Sequence, residues 1–236
     1  MSQFTIEILE AINNWQRGSS HQQKLKRGSA LKAAAQLLDE RFRTCTLACY
    51  RQEAHEKDRV WQVLADIELP ETIAAWTVDF TVAKAFKGGV PPVGHQGVIF
   101  RLAPPPSSVV LNLDDVYQDA GFLRAIEEHR SAIAGFGDGI GRYGNTQKEV
   151  VLELASLSQT EIYSYGGFSS DRETLAEVYF QRPPTTDDLQ QFDALLKQSA
   201  IPHDGAWWLS HEATSAIIAR MQPAIAALKL RKASEA

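Results

Sequence analysis

The sequence predicts an α+β protein in which a β-rich middle is flanked by helices at both ends. Apolar residues recur at spacings of three and four over residues 4–16 and 21–41, as they do in amphipathic helices. Short β-branched and aromatic runs divided by Gly and Pro fill residues 44–182, and helical spacing returns over 185–229. Helices segregated from strands in this way favour an α+β fold over an alternating α/β order.

The same pattern predicts the organisation of the chain. We expect an N-terminal helical flank at 1–43, a β-rich core at 44–182, and a C-terminal helical flank at 183–236 that packs on the core. Within the core, Asp79 is expected to cap a short helix over 80–86. Residues 177–180 are expected to form one of the later strands, because they are rich in β-branched and aromatic side chains.

The composition is that of an ordinary globular protein. The 236 residues are 44% hydrophobic and 22% charged, with a net charge of −5, so the chain can build a core without disulfide or metal support. No run approaches the roughly 20 apolar residues that a membrane-spanning helix needs. The amino terminus shows no basic segment followed by an apolar one. We therefore expect a cytoplasmic protein that makes no use of a membrane.

One basic cluster opens the second predicted helix, at Lys24, Lys26, Arg27 and Lys32. It is typical of a solvated helix face, and it could also bind a phosphate-rich partner such as a nucleic acid. The negative net charge favours the solvated face.

The two cysteines, Cys45 and Cys49, lie four residues apart in a predicted strand. Four residues of strand span about 13 Å, which is too far for a disulfide. We expect two free thiols with no chemical role. The six histidines are scattered without metal-ligand spacing, so no metal site is expected.

Three polar residues stand beside apolar strand sequence in the middle of the chain. Arg51 ends a predicted strand, Thr77 follows Trp76 in a second, and Glu149 opens a third. Taken singly, each is typical of a solvated strand end or of ordinary packing. Each lies where a polar side chain can face a cleft, and the order and setting of all three favour a functional site over these ordinary interpretations.

The motifs around these residues resemble those of the mono-ADP-ribosyltransferases of the Arg-Ser-Glu group, whose fold is shared by clostridial exoenzymes and other bacterial toxins. The first is the aromatic-Arg pair Tyr50-Arg51. The second is the strand and helix pattern over 75–86, and the third is Gln147-Lys148-Glu149 before a hydrophobic strand. The resemblance runs over residues 47–162, roughly half of the chain.

This resemblance implies both a fold and an activity. The core at 44–182 would hold an ADP-ribosyltransferase-like β-sheet, and NAD would be the co-substrate from which ADP-ribose passes to a macromolecular acceptor, protein or nucleic acid. A toxin or phage-defence effector of this kind can have an antitoxin or immunity protein as a further partner. The alternative is a catalytically degenerate relative that acts as a protein- or nucleic-acid-binding module.

The resemblance also assigns the catalytic residues. Glu149 would accept a hydrogen bond from a ribose hydroxyl and stabilise the oxocarbenium-like ribose that forms as nicotinamide leaves. Gln147 would sit beside the acceptor. A Gln at this position indicates an acceptor other than arginine, because deprotonating a guanidinium calls for a second carboxylate.

The same resemblance assigns the cofactor-binding residues. Arg51, next to Tyr50, would bind the NAD diphosphate through parallel hydrogen bonds. Thr77 would line the nicotinamide pocket, and Trp76 would pack beneath that strand. The sequence departs from the family at Ala75, where the family has a hydroxyl residue that helps to hold the catalytic glutamate.

A glycine-rich segment at 135–144 precedes the third motif and corresponds to the family's substrate-recognition loop. Phe136, Arg142 and Tyr143 are expected to be exposed there and to contact the acceptor. The alternative is a mobile loop with no dedicated partner.

Overall fold

The computed structural model describes residues 3–18, 20–56, 71–89, 91–92, 94–157, 159–168, 172–198 and 207–235. These residues form an α+β fold, as the sequence predicts, with a seven-stranded antiparallel sheet. None of the helices in this part of the chain is long and apolar enough to cross a bilayer.

Nine α-helices and seven strands lie in the described residues. The helices are α1 Ile6–Gln16, α2 His21–Ala35, α3 Phe80–Ala85, α4 Leu113–Gln118, α5 Ala120–His129, α6 Ile140–Tyr143, α7 Arg172–Phe180, α8 Thr186–Gln198 and α9 His211–Glu235. The strands are β1 Cys49–Glu56, β2 Ile73–Thr77, β3 His95–Leu102, β4 Val109–Asn112, β5 Glu149–Glu153, β6 Glu161–Phe168 and β7 Trp207–Trp208.

Side-chain caps fix where several helices begin. The Asp79 carboxylate accepts a hydrogen bond from the Thr81 backbone N–H at 2.8 Å, which confirms the predicted cap of α3. Asp119 accepts from the N–H groups of Gly121 and Phe122 at the start of α5. The first cap marks where the chain turns from β2 into α3, and the second separates α4 from α5.

The sheet has the strand order β4-β5-β2-β1-β3-β6-β7 and divides into two halves between β2 and β1. β1 pairs with β3 at eight positions and β2 pairs with β5 at five. In the described residues, β1 and β2 pair only at Tyr50 and Thr77. The two halves of the sheet therefore diverge beyond this pair and leave an opening between β1 and β2.

Two apolar cores lie against the sheet. The first joins α1, α2, α4 and α5 to the sheet, with Leu9, Ile12 and Phe122 packed near Val151 of β5. The second lies around Trp76, Phe100, Val150 and Leu152, and partly buried residues of α9 pack on it. The N-terminal helices thus share a core with the strand that begins at Glu149.

The predicted strand at 177–180 is wrong, because these residues form the last turn of α7. Ala176 and Phe180, four residues apart, lie on the side of the helix that packs in a small cluster with Phe192 and Leu196 of α8. Helical packing of this kind outweighs the β propensity of the Val-Tyr-Phe run.

The predicted separation of the cysteines is also wrong. Cys45 lies before β1, which begins only at Cys49, and the Sγ atoms of the two residues are 3.8 Å apart. The prediction assumed a continuous strand from residue 44, whereas the chain folds back before β1. Both thiols are free, as expected.

Candidate active site

Residues of all three sequence motifs meet on neighbouring strands. The register pairs Tyr50 of β1 with Thr77 of β2, and Thr77 with Glu149 of β5. Directly paired strand residues point to the same face of a sheet. Tyr50, Thr77 and Glu149 therefore form one line of side chains, at the place where the two halves of the sheet begin to diverge.

The turn before β5 fixes Glu149 opposite Thr77. Lys148 adopts a left-handed backbone conformation with φ of 43°, and its carbonyl oxygen accepts a hydrogen bond from the Val78 N–H at 3.1 Å. Its ammonium group pairs with the Asp79 carboxylate at 2.8 Å. The end of β2 and the start of β5 are thus tied together by both backbone and side chain.

Glu149 is a buried carboxylate that helix α1 covers. The residue is 5% exposed, and the Trp15 indole N–H donates a hydrogen bond to its Oε1 at 2.6 Å. Burial raises the pKa of Glu149 to about 7, although the hydrogen bonds of Trp15 and Gln16 act to lower it. A buried group that titrates near neutral pH is a candidate for catalysis.

The end of α1 is itself held by buried polar contacts. Gln16 Oε1 lies 2.8 Å from the Tyr117 hydroxyl. The Asn13 side chain accepts from the Ile140 N–H at 3.1 Å and donates to the Ala134 carbonyl at 3.0 Å. The helix that carries Trp15 is therefore fixed relative to β5.

Arg51 lies in the opening between β1 and β2. Its Nη1 donates to the Ala75 carbonyl at 2.9 Å, and its Nε donates to Glu53 Oε1 at 2.7 Å. Because consecutive strand residues point to opposite faces, the Arg51 side chain leaves β1 on the face opposite to Tyr50. The structure brings Tyr50, Thr77 and Glu149 onto one face, whereas Arg51 leaves the sheet on the other face and reaches back only to the backbone of β2 at Ala75.

Glu53 is the charge partner of Arg51. Burial raises its pKa, but hydrogen bonds and charges from His55 and Arg51 outweigh the burial and hold the pKa at about 2. Glu53 is therefore ionised across the physiological range, and the guanidinium of Arg51 is oriented before any ligand binds.

The other predicted binding residues have separate surroundings. The Thr77 hydroxyl accepts from the Asp79 N–H at 3.1 Å. The Tyr50 ring lies 5.4 Å from the rings of both Phe80 and Tyr163, which gives an aromatic cluster at the end of the line. Trp76 is 3% exposed and belongs to the second core.

The glycine-rich segment is packed and partly helical. Residues 136–138 form a 3₁₀ turn, and Gly139, which precedes α6, touches α1 so closely that a Cβ would overlap the backbone oxygen of Asn13. The expectation that Phe136 is exposed is wrong: it is partly buried against the first core, and its ring lies over Gly141. Glycines at these positions allow this close packing.

Arg142 is exposed, as expected, and lies over the ring of Tyr143 at 5.2 Å. The expectation that Tyr143 is exposed is wrong, because its side chain is half-buried. Gln147 is half-buried in the turn that leads into β5. All three residues precede Glu149 by no more than seven positions in the sequence.

Two surface depressions lie away from this line of residues. One is lined by Arg41 and Asp119, which form an ion pair at 2.6 Å, and the other by Lys32 and Glu153, which do the same at 2.6 Å. Neither includes Glu149. We place the candidate site at the strand ends, because the buried titratable carboxylate lies there.

Trp15 and Glu53 are the site residues that sequence reasoning missed. Trp15 fits the apolar face of α1, so the sequence pattern explains it as a core residue. The one signal of a further role is that a buried indole N–H needs a hydrogen-bond acceptor. No sequence pattern distinguishes Glu53 from other charged strand residues, because its ion pair with Arg51 is seen only in the folded structure.

Comparisons with protein-family models, with curated proteins and with solved structures give no match. Among the described residues, no group of three His, Cys, Asp or Glu side chains could hold a metal ion. The functional assignment therefore depends on the residues of this chain.

Proposed function

We propose that this protein is an NAD-dependent mono-ADP-ribosyltransferase that modifies a macromolecular acceptor, as a toxin or defence effector would. The observation that carries the proposal is the line of Tyr50, Thr77 and Glu149 across β1, β2 and β5. The three residues come from three separate motifs. The pairing of β1 with β2 and of β2 with β5 places them side by side. Arg51 lies beside the line, in the opening between the halves of the sheet.

Glu149 has the properties that the reaction needs. When the bond between nicotinamide and ribose breaks, nicotinamide leaves with the bonding electron pair and positive charge grows on the ribose. An ionised carboxylate held nearby stabilises that charge. A nucleophilic group of the acceptor then attacks the ribose and loses its proton. With a pKa of about 7, Glu149 is partly ionised at neutral pH, and the ionised fraction rises with pH.

Arg51 supplies the cation for the NAD diphosphate. Its guanidinium is already oriented by Glu53 and by the Ala75 carbonyl. A planar guanidinium can pair with two phosphate oxygens at once. Thr77 and Tyr50 would line the pocket on the face of Glu149, and Arg51 would reach the diphosphate through the opening between β1 and β2, where its guanidinium meets the Ala75 carbonyl. Gln147, Arg142 and Tyr143 would face the acceptor.

The alternative function is a binding module built on the same sheet. Ala75 in place of a hydroxyl residue and the cover of Trp15 over Glu149 favour it. Calorimetric titration with NAD separates the two functions. Heat of binding that the Arg51→Ala variant loses supports the transferase, whereas no heat from NAD supports the binding module.

The direct test is incubation with NAD labelled in its adenylate group and whole-cell lysate. Label should enter the protein or the nucleic-acid fraction with the unmutated chain and not with Glu149→Gln. Glu153→Gln is the matched control, because Glu153 lies on the same face of β5 but is partly exposed and paired with Lys32. Equal labelling by the unmutated chain and Glu149→Gln, or no labelling by either, would remove the proposal.

A further inference from the structure

The Glu149 carboxylate is held from helix α1. The Trp15 indole N–H donates to Oε1 in a short hydrogen bond of 2.6 Å. On the neighbouring strand β2, two residues share the face of Glu149 close to its carboxylate: Thr77, directly opposite, and Ala75, which has no polar side chain. Ala75 pairs with Val151, while Thr77 pairs with Glu149, so Ala75 is the diagonal neighbour of Glu149 on the same face.

We propose that Trp15 is the positioning residue for Glu149, an inference that rests on the proposed function. Its indole N–H orients the carboxylate and favours the ionised form, and so takes the place of the hydroxyl group that Ala75 lacks. Trp15 does not touch NAD in this assignment. It acts through Glu149.

The packing around the Trp15 ring holds its indole N–H in a fixed position relative to Glu149. The ring is partly buried against the first core. A Cβ added at Gly28 of α2 would lie 3.4 Å from its Cζ3 atom, so α2 packs directly on the ring. The Asn13 bonds to Ile140 and Ala134 fix the same turn of α1. A donor held in this way needs no rearrangement during the reaction.

The chemical effect of the N–H group follows from its partner. A hydrogen bond to a carboxylate favours the ionised form, whereas burial favours the neutral form. Replacing Trp15 with Phe keeps an aromatic ring in the core and removes the donor. The pKa of Glu149 should then rise by about one to two units, the shift expected for one hydrogen bond to a charged group.

The experiment compares four chains: the unmutated protein, Trp15→Phe, Trp15→Phe with Ala75→Ser, and Trp208→Phe. The last is the matched control, because Trp208 loses an indole N–H that donates to the Lys84 carbonyl rather than to Glu149. The pH profile of nicotinamide release should move to higher pH in Trp15→Phe alone, with activity at pH 7 about tenfold lower and recovered near pH 9. The added serine should move the profile back.

A second measurement keeps this inference separate from the proposed function. The pKa of Glu149 can be followed through the ¹³C signal of its side-chain carboxyl, assigned by its loss in Glu149→Gln. This titration reports the action of Trp15 even when no NAD is turned over. A higher pKa in Trp15→Phe supports the inference, and absence of turnover in the unmutated protein then counts only against the transferase.

Two results would overturn the inference. One is a Glu149 pKa that is the same with Trp and Phe at position 15. The other is faster nicotinamide release by Trp15→Phe at pH 7, since Trp15 would then obstruct the carboxylate rather than position it.

Discussion

Trp15 of helix α1 and Glu149 of strand β5, 134 positions apart in sequence, are joined by a hydrogen bond of 2.6 Å. This bond links the N-terminal helices to the proposed catalytic carboxylate. The helices also supply much of the first core, in which Leu9 and Ile12 pack near Val151. The N-terminal flank is therefore part of the site as well as a support for the sheet.

Glu149 should make the stability of the protein depend on pH. Its folded pKa of about 7 lies above the ordinary value of 4.5, so the folded state binds a proton that the unfolded state has released. The contribution of Glu149 to the free energy of unfolding is greatest below about pH 4.5. It decreases as the pH rises from 4.5 to 7 and is lost above pH 7. The total loss is roughly 3 kcal/mol.

Urea unfolding at pH 5 and pH 8 tests this expectation. In Glu149→Gln, the free energy of unfolding should decrease less between pH 5 and pH 8, because Gln does not ionise. This variant should therefore be more stable than the unmutated protein at pH 8. Glu153→Gln, which changes a partly exposed carboxylate on the same strand, should keep the dependence. Identical pH profiles for the unmutated protein and Glu149→Gln would contradict the burial of this carboxylate.

Arg51→Lys should weaken NAD binding more than it slows the chemical step. Lysine cannot pair with two phosphate oxygens at once, and it loses the fixed contacts to Glu53 and Ala75. We expect KM for NAD to rise by about tenfold or more, the value of one or two charged hydrogen bonds, with kcat changed little. Arg182→Lys is the control, because Arg182 pairs with Asp188 of helix α8 and, in the part of the chain that the structure describes, contacts none of the proposed site residues. A fall in kcat with unchanged KM would contradict a binding role.

Gly139→Ala should destabilise the fold, because a Cβ at this position would overlap the backbone oxygen of Asn13 in α1. Overpacking of this kind costs about 1–3 kcal/mol. Gly137→Ala is a close control, since a Cβ there meets nothing within 4 Å. Equal unfolding midpoints for the two variants would show that the glycine-rich segment does not pack on α1.

Cys45 should react with alkylating agents faster than Cys49. The hydrogen bond from Cys49 lowers the pKa of Cys45 to about 7, although burial acts in the opposite direction. The hydrogen bond with Cys45 and burial both raise the pKa of Cys49. Because the thiolate is the reactive form, mass spectrometry after iodoacetamide treatment at pH 7 should find the label on Cys45 first. Cys49→Ala should slow the labelling of Cys45, because it removes the hydrogen bond that lowers the pKa of Cys45. Label that appears first on Cys49 would contradict a hydrogen bond that favours the Cys45 thiolate.

The sequence predicts the fold class and the placing of the motifs well, because these depend on local pattern. The spacing of Ile8, Leu9 and Ile12 predicts α1, and the Asp79 cap predicts the start of α3. Strand alternation does not define where a strand begins. For that reason the predicted distance between Cys45 and Cys49 failed.

Contacts between distant segments could not be predicted. The acceptor of the Trp15 indole lies 134 positions away, and nothing in the pattern of α1 specifies it. The packing of Phe136 depends likewise on glycines that let the segment approach α1. The sequence shows that Ala75 departs from the motif that it resembles, but it does not show that Trp15 donates to Glu149.

The release of nicotinamide from NAD by the purified protein tests the central claim most directly. The unmutated chain should release nicotinamide at a rate that rises through pH 7 as Glu149 ionises. Glu149→Gln should lower the rate about 100-fold or more, as expected for loss of a group that stabilises transition-state charge, while Glu153→Gln keeps it. No release by the unmutated chain, or equal release by Glu149→Gln, would contradict the assignment of Glu149 as the catalytic carboxylate.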